Sequence, residues 1–230
     1  MSTDFPALPT FEGARPVIDP EQAVLLLIDH QSGLFQVVGD LAAQDLRRNV
    51  TVLAKLAGRT GMPVVATASV PQGPNGPLIP EVQEHAPQTV YVPRKGEVNA
   101  WDCEDFIKAV KATKKKQLII AGTLTTVCMA FPAISAIAEG YQVFVVPDAS
   151  GAPTKMAEEL TVARLVQIGV VPMDITACVA EIQQTWHRPD AMEWMALWSE
   201  MLPGYQLLVE SHQKAQEVER TGEPLDSERD

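Results

Sequence analysis

The chain has 230 residues, 46% hydrophobic and 20% charged, which allows one or two domains and a core that needs no disulfide or metal staple. Eighteen lysines and arginines against 29 acids leave a formal charge of -11, which argues against nucleic acid or an anionic membrane as partner and for a small molecule or another protein. No run approaches the ~20 apolar residues of a membrane span, and three cysteines without a CxxC pair fit neither a disulfide framework nor a thiolate cage, so a cytoplasmic protein is expected.

Residues 1–19, with Pro6, Pro9 and Pro16 and little periodicity, read as an N-terminal arm. AVLLLID at 23–29 is a continuous apolar run ending in an acid, the pattern of a strand buried on both faces with a functional group at its tip. The same look recurs at 63–69, 89–93, 117–122, 142–148 and 169–174. Between these runs lie helical spacings, with Leu46, Val50, Leu53, Leu56 and Ala57 before the second and Phe106, Ile107 and Val110 before the fourth. Thr125 or Thr126 is a candidate cap for a helix through CMAFPAISAIAEG that stops at Gly140, and residues 155–168 supply another helix. The alternation predicts an α/β fold, a three-layer αβα sandwich around a six-stranded, mainly parallel sheet, with ligands at the C-terminal strand ends. The pattern then changes to two helical stretches carrying Trp186, Trp194 and Trp198, read as packing residues. From Val209 onward seven acids face three bases, a solvated acidic tail. The expected organisation is an arm over 1–19, one domain over 20–208 and a tail over 209–230.

No GxSxG, HExxH, GxGxxG or GxxxxGK[ST] occurs, and no two of His30, His85, His187 and His212 stand four residues apart, so neither metal nor cofactor is expected. What remains is polar groups at three strand ends: Asp29 after the first, Arg94 and Lys95 after the third, and Cys128 after the fourth. In a doubly wound sheet such tips deliver side chains to one crevice. Cys128 lies where a Thr-rich loop turns into a helix, a place that favours a thiolate. Bringing a thiol from about 8.5 to about 6 takes roughly 3.4 kcal/mol, whereas a helix terminus supplies about 2 kcal/mol at best, so a neighbouring cation or base is required. Cys103 stands beside Asp102, Glu104 and Asp105 and is the poorer nucleophile.

The segments LLLIDHQSGLF, QGPNGPLIPE, VNAWDCEDFIKAVKATKKKQLIIAGTLTTVCMAFPA and GYQVFVVPDASG resemble the isochorismatase-like cysteine hydrolases, and within them the YcaC-like hydrolases, over about residues 20–205. The resemblance implies the Rossmann-like fold of that family and a catalytic triad of Asp29 as base, Cys128 as nucleophile, and a cation. Lys95 stands four residues before Asn99 as in the broad family, while Arg94 matches the YcaC-like subgroup without a gap, and both are kept. It further implies an oxyanion hole from the N–H groups of Leu124 and Cys128, with a cis peptide between Thr123 and Leu124. The implied activity is metal-independent hydrolysis of a small amide, ester or related C–N bond through a thio-acyl intermediate, by a homo-oligomer of eight subunits. TASVPQGPNGPLIPE lacks the histidines of the nicotinamidase metal site. Gln31, Asn99, Trp101 and Phe131, close in sequence to the proposed site, are candidate substrate contacts. The alternative is an oligomeric binding or scaffold protein that keeps the fold without turnover.

Overall fold

The computed structural model describes residues 15–222; the N-terminal part of the expected arm and the end of the expected tail lie outside them. Six strands form one sheet: β1 (Ala23–Ile28), β2 (Val64–Ser69), β3 (Val90–Arg94), β4 (Gln117–Gly122), β5 (Gln142–Val145) and β6 (Val171–Pro172). All pair in parallel, in the order β3-β2-β1-β4-β5-β6. β1 is buried at every position because both faces of the sheet are covered. Two strands are shorter than their apolar runs. After Val145 the chain enters a 3-10 turn at Pro147–Ala149, and β6 is the short pair Val171–Pro172 at the sheet edge, where proline is tolerated, with Met173 N–H still donating to Val145 O at 2.9 Å.

The helices of the sheet-bearing part are α1 (Ala43–Thr60), α2 (Glu81–His85), α3 (Glu104–Ala112), α4 (Ala130–Ala138), α5 (Lys155–Val166) and α6 (Ile175–Gln183). Strand alternation sends Val24, Leu26 and Ile28 into a core with Phe106 and Val110 of α3, Ala130, Ala133 and Ala136 of α4, and Leu165 of α5. Leu25 and Leu27, equally buried, point to the opposite face, where α1 and α6 lie in contact. The architecture is the predicted αβα sandwich. Two helix starts differ from expectation: neither Thr125 nor Thr126 caps with its side chain, and Thr125–Met129 forms a π-helical turn ahead of α4. α2 follows Pro80 and has too few apolar positions to show a period in the sequence.

Residues 15–184 form one compact unit and 185–222 a second. Within the first, Ile18 N–H donates to Glu181 and Asp19 N–H to Gln117, so the described end of the arm is tied down. The second unit contains α7 (Ala191–Met201) and α8 (Pro203–Thr221), the latter continuous through residue 209 and without a buried side chain. Trp186, Trp198 and Tyr205 gather there with ring centroids 5.8–6.3 Å apart. No helix among the described residues is long and apolar enough to cross a membrane.

Candidate active site

The strand order reverses between β1 and β4, and a doubly wound sheet opens its ligand crevice at that point. Ile28 pairs with Gly122, so the residues that follow them start side by side. Asp29 has a φ of 58°, a left-handed conformation that aspartate tolerates better than most residues. From β4 the chain passes through Thr123 and Leu124, joined by a cis peptide, into the π-turn that carries Cys128. A Cβ on Gly122 would stand 2.8 Å from the Cys128 backbone, so only glycine lets the turn fold this tightly against the strand tip. Thr123 Oγ1 donates to Ser150 O at 2.8 Å and Thr125 N–H to Gly151 O at 2.8 Å, tying the turn to the loop after β5.

Of the two candidate cations, Arg94 is the one that meets Asp29. Its side chain crosses the tip of β2, where Nε donates to Thr67 Oγ1 at 3.0 Å, and Nη2 donates to both oxygens of Asp29. Arg94 and Asp29 are each 2% exposed. Nη1 donates to Glu97 O, so the fork is spread over three elements, a task a lysine could not share. Lys95, the other candidate, is exposed, whereas Asp29 is buried against Arg94. The reason is alternation: Arg94 pairs with Ser69 and turns into the sheet, and the next residue faces solvent.

Ser69 N–H donates to Asp29 Oδ1 at 2.9 Å, and the Cys128 thiol hydrogen-bonds the same carboxylate. Burial pushes the thiol well above the ordinary range, and the charge and hydrogen bond of Asp29 push it further. The Leu124 N–H and Arg94 act in the opposite direction with less effect. The direction is the reverse of the lowering expected for a thiol at a helix start: burial and the Asp29 carboxylate act on the sulfur more strongly than Arg94 does and favour the protonated thiol. Of the two expected oxyanion donors, Cys128 N–H is taken by Leu124 O at 2.8 Å within the π-turn, while Leu124 N–H has no backbone acceptor and faces the sulfur.

Asp29, Leu124 and Cys128 border a cavity of about 210 Å³. Leu34, Val98 and Val127 supply its apolar wall, and Ser69, Asn75 and Glu97 its polar remainder. The four expected substrate contacts are elsewhere. Gln31 is buried and behaves as an extra rung of the sheet, with Nε2 donating to Ser69 O at 3.0 Å and Oε1 accepting from Ser69 N–H at 3.0 Å. Asn99 accepts from Trp101 N–H and donates to Ser135 Oγ, Trp101 is a core residue bonded to Glu139, and Phe131 packs on the same core. The polar groups of Gln31, Asn99 and Trp101 are engaged by neighbouring elements, and none of the four is among the residues that line the cavity. Thr67 and Ser69 were missed because only strand register reveals them, whereas Glu97 stood in view three residues after Arg94. Cys178 is fully buried and Cys103 packs against the core, so neither lines the cavity. Among the described residues no three His, Cys, Asp or Glu side chains gather as metal ligands.

The isochorismatase domain model matches residues 23–177. The Probable hydrolase YcaC of Escherichia coli (strain K12) is 45% identical over 195 residues, 85% of this chain and 93% of the relative. The crystal structure of the Escherichia coli YcaC gene product, described as an octameric hydrolase of unknown specificity, superposes with a TM-score of 0.84 at 42% identity, covering 88% of this chain and 98% of that one. YcaC from Pseudomonas aeruginosa, solved with hexane-2,5-diol and covalent acrylamide, gives the same TM-score and identity over 87% and 98%. The chain belongs to the isochorismatase family and, within it, to the YcaC-like hydrolases.

Proposed function

We propose that the chain is a cysteine hydrolase that opens a small amide, ester or related C–N bond with Cys128 as nucleophile, Asp29 as general base and Arg94 as the cation that orients Asp29. The observation that carries this reading is the thiol hydrogen-bonded to a carboxylate whose other side is fully engaged by a buried guanidinium, at the border of a cavity. The structure of a YcaC relative with covalent acrylamide is in keeping with a reactive nucleophile in this group of proteins.

In the first half-reaction the Cys128 proton moves to Asp29 as sulfur bonds the carbonyl carbon, and the carbonyl oxygen takes the electron pair facing Leu124 N–H. Collapse of this adduct breaks the bond to the amine or alcohol, which leaves with the proton from Asp29. Water then attacks the thioester and gives a proton to Asp29. The acid departs, and the proton returns to sulfur. A buried thiol activated by a base as it reacts needs no standing thiolate, which agrees with the upward pressure on Cys128. The chain is further inferred to work as a homo-oligomer, following the octameric relative.

The test is turnover of a panel of short-chain aliphatic amides and esters by the full chain, with Cys128→Ser and Asp29→Asn beside it. Loss of about 10²–10⁴-fold in each variant is expected for a nucleophile and its base. Wild-type rates in Cys128→Ser would overturn the assignment, and an inert wild type across the panel would favour the scaffold reading.

A further inference from the structure

We propose that Glu97 selects substrates by charge, so that the pocket takes small acyl compounds that are neutral or cationic and turns carboxylates away. The inference rests on the hydrolase reading above and names its substrate class.

Arg94 is the one cation inside the triad, and two acids flank it: Asp29 bonds its Nη2, and Glu97 follows it at the turn whose carbonyl takes Nη1. Asp29 and Cys128 share one proton, so together they carry one negative charge whichever of them holds it. Arg94 offsets that charge, and the Glu97 carboxylate is left over. No lysine, arginine or histidine is among the described residues that line the cavity.

Glu97 is also fixed in place. Its Oε2 accepts the N–H groups of Lys95 at 2.9 Å and Gly96 at 3.1 Å, with Gly96 at a φ of 132° to allow the turn. Its own N–H and those two donors, with Arg94 nearby, hold the carboxyl below the ordinary carboxylate range, so it is ionised at neutral pH. The remaining wall of Leu34, Val98 and Val127 offers contact to an alkyl group, and a cavity of about 210 Å³ limits that group to a few carbons. A dicarboxylate finds neither a free cation nor a neutral field here.

The experiment compares three alkylating probes on Cys128 of the full chain: iodoacetamide (neutral), iodoacetate (anionic) and 2-bromoethylamine (cationic). In each case sulfur displaces halide, forming a C–S bond and breaking the carbon–halogen bond; iodoacetamide and iodoacetate differ chiefly in charge, and the lower intrinsic reactivity of 2-bromoethylamine is removed by reference to the peptide. Rates are read by peptide mass spectrometry and divided by those of a free cysteine peptide. The expected preference for iodoacetamide over iodoacetate exceeds the peptide's on the order of tenfold, as one like charge at short range in a partly wet site gives. Glu97→Gln collapses that excess and slows 2-bromoethylamine, whereas Glu219→Gln, the same change of net charge on exposed α8, leaves the ratio as it was. The inference is overturned if iodoacetate is as favoured as in the peptide, or if the two variants move the ratio equally. A Cys128 inert to all three probes would instead defeat the hydrolase reading itself.

Discussion

At the scale of residues, the site is an ordering of charges along one line, sulfur to carboxylate to guanidinium. Asp29 raises the thiol and Arg94 lowers it, so the two variants move Cys128 in opposite directions. In Asp29→Asn the pH midpoint of Cys128 alkylation falls, because the adjacent negative charge is gone while Arg94 remains, yet turnover is lost with the base. Arg94→Ala raises the midpoint and strands a buried carboxylate, which costs about 3–5 kcal/mol in unfolding free energy. Both are read by pH-dependent alkylation, with denaturant unfolding for the second. The candidates Asp29, Arg94 and Cys128 were legible in the sequence because each follows an apolar strand, and topology brings those strand ends to one crevice. The choice between Arg94 and Lys95 was not legible, because it depends on which neighbour's side chain turns into the sheet. Nor was the direction of the thiol's shift, which depends on whether acid or cation touches the sulfur.

At the scale of elements, the tip of β4 and the π-turn after it position Cys128, the proposed nucleophile. Gly122→Ala forces a methyl against the Cys128 backbone and is expected to destabilise the chain by about 1–3 kcal/mol and to cut the alkylation rate of Cys128, since the turn must move to make room. Thr123→Val leaves Ser150 O without its hydroxyl donor and is expected to cost about 1 kcal/mol, measured by urea unfolding, with a larger loss of kcat than of substrate affinity. Six strands were visible as apolar runs because parallel strands are buried on both faces. The ends of β5 and β6 were not, because the chain leaves the sheet for the turn at Pro147–Ala149 and for the start of α6 while the apolar pattern runs on. The π-turn has no periodic signature. Three N–H groups of residues 127–129 converge on Leu124 O within it, and its ties to the rest of the fold, Thr123 Oγ1 to Ser150 O and Thr125 N–H to Gly151 O, are tertiary.

At the scale of the molecule, two buried groups outside the triad set how stability answers to acid. His30 is fully buried and neutral, its pKa pressed from 6.5 to about 4 by burial, so the unfolded chain binds the extra proton between those values and stability falls as pH drops through that window. Asp148 is the reverse: burial, with Asp174 and Glu158 nearby, lifts it to about 6, so the folded chain binds the proton first and stability falls as pH rises from 3.8 to 6. The two slopes oppose each other between pH 4 and 6. Asp148→Asn keeps an oxygen for Ile175 N–H and is expected to uncover the His30 slope, about 1.4 kcal/mol per pH unit, in denaturant unfolding at pH 4.5, 5.5 and 6.5.

The central claim, that Cys128 carries the acyl group during turnover with Asp29 as its base, is tested most directly by rapid quench. A short-chain ester that the chain hydrolyses is mixed with wild type and with Asp29→Asn, stopped in acid, and the Cys128 peptide is weighed. The account predicts an acyl mass on Cys128 in the wild type during steady turnover and its absence in Asp29→Asn. Product released by the wild type with Cys128 unmodified at every time point, and at an undiminished rate from Cys128→Ser, would contradict it.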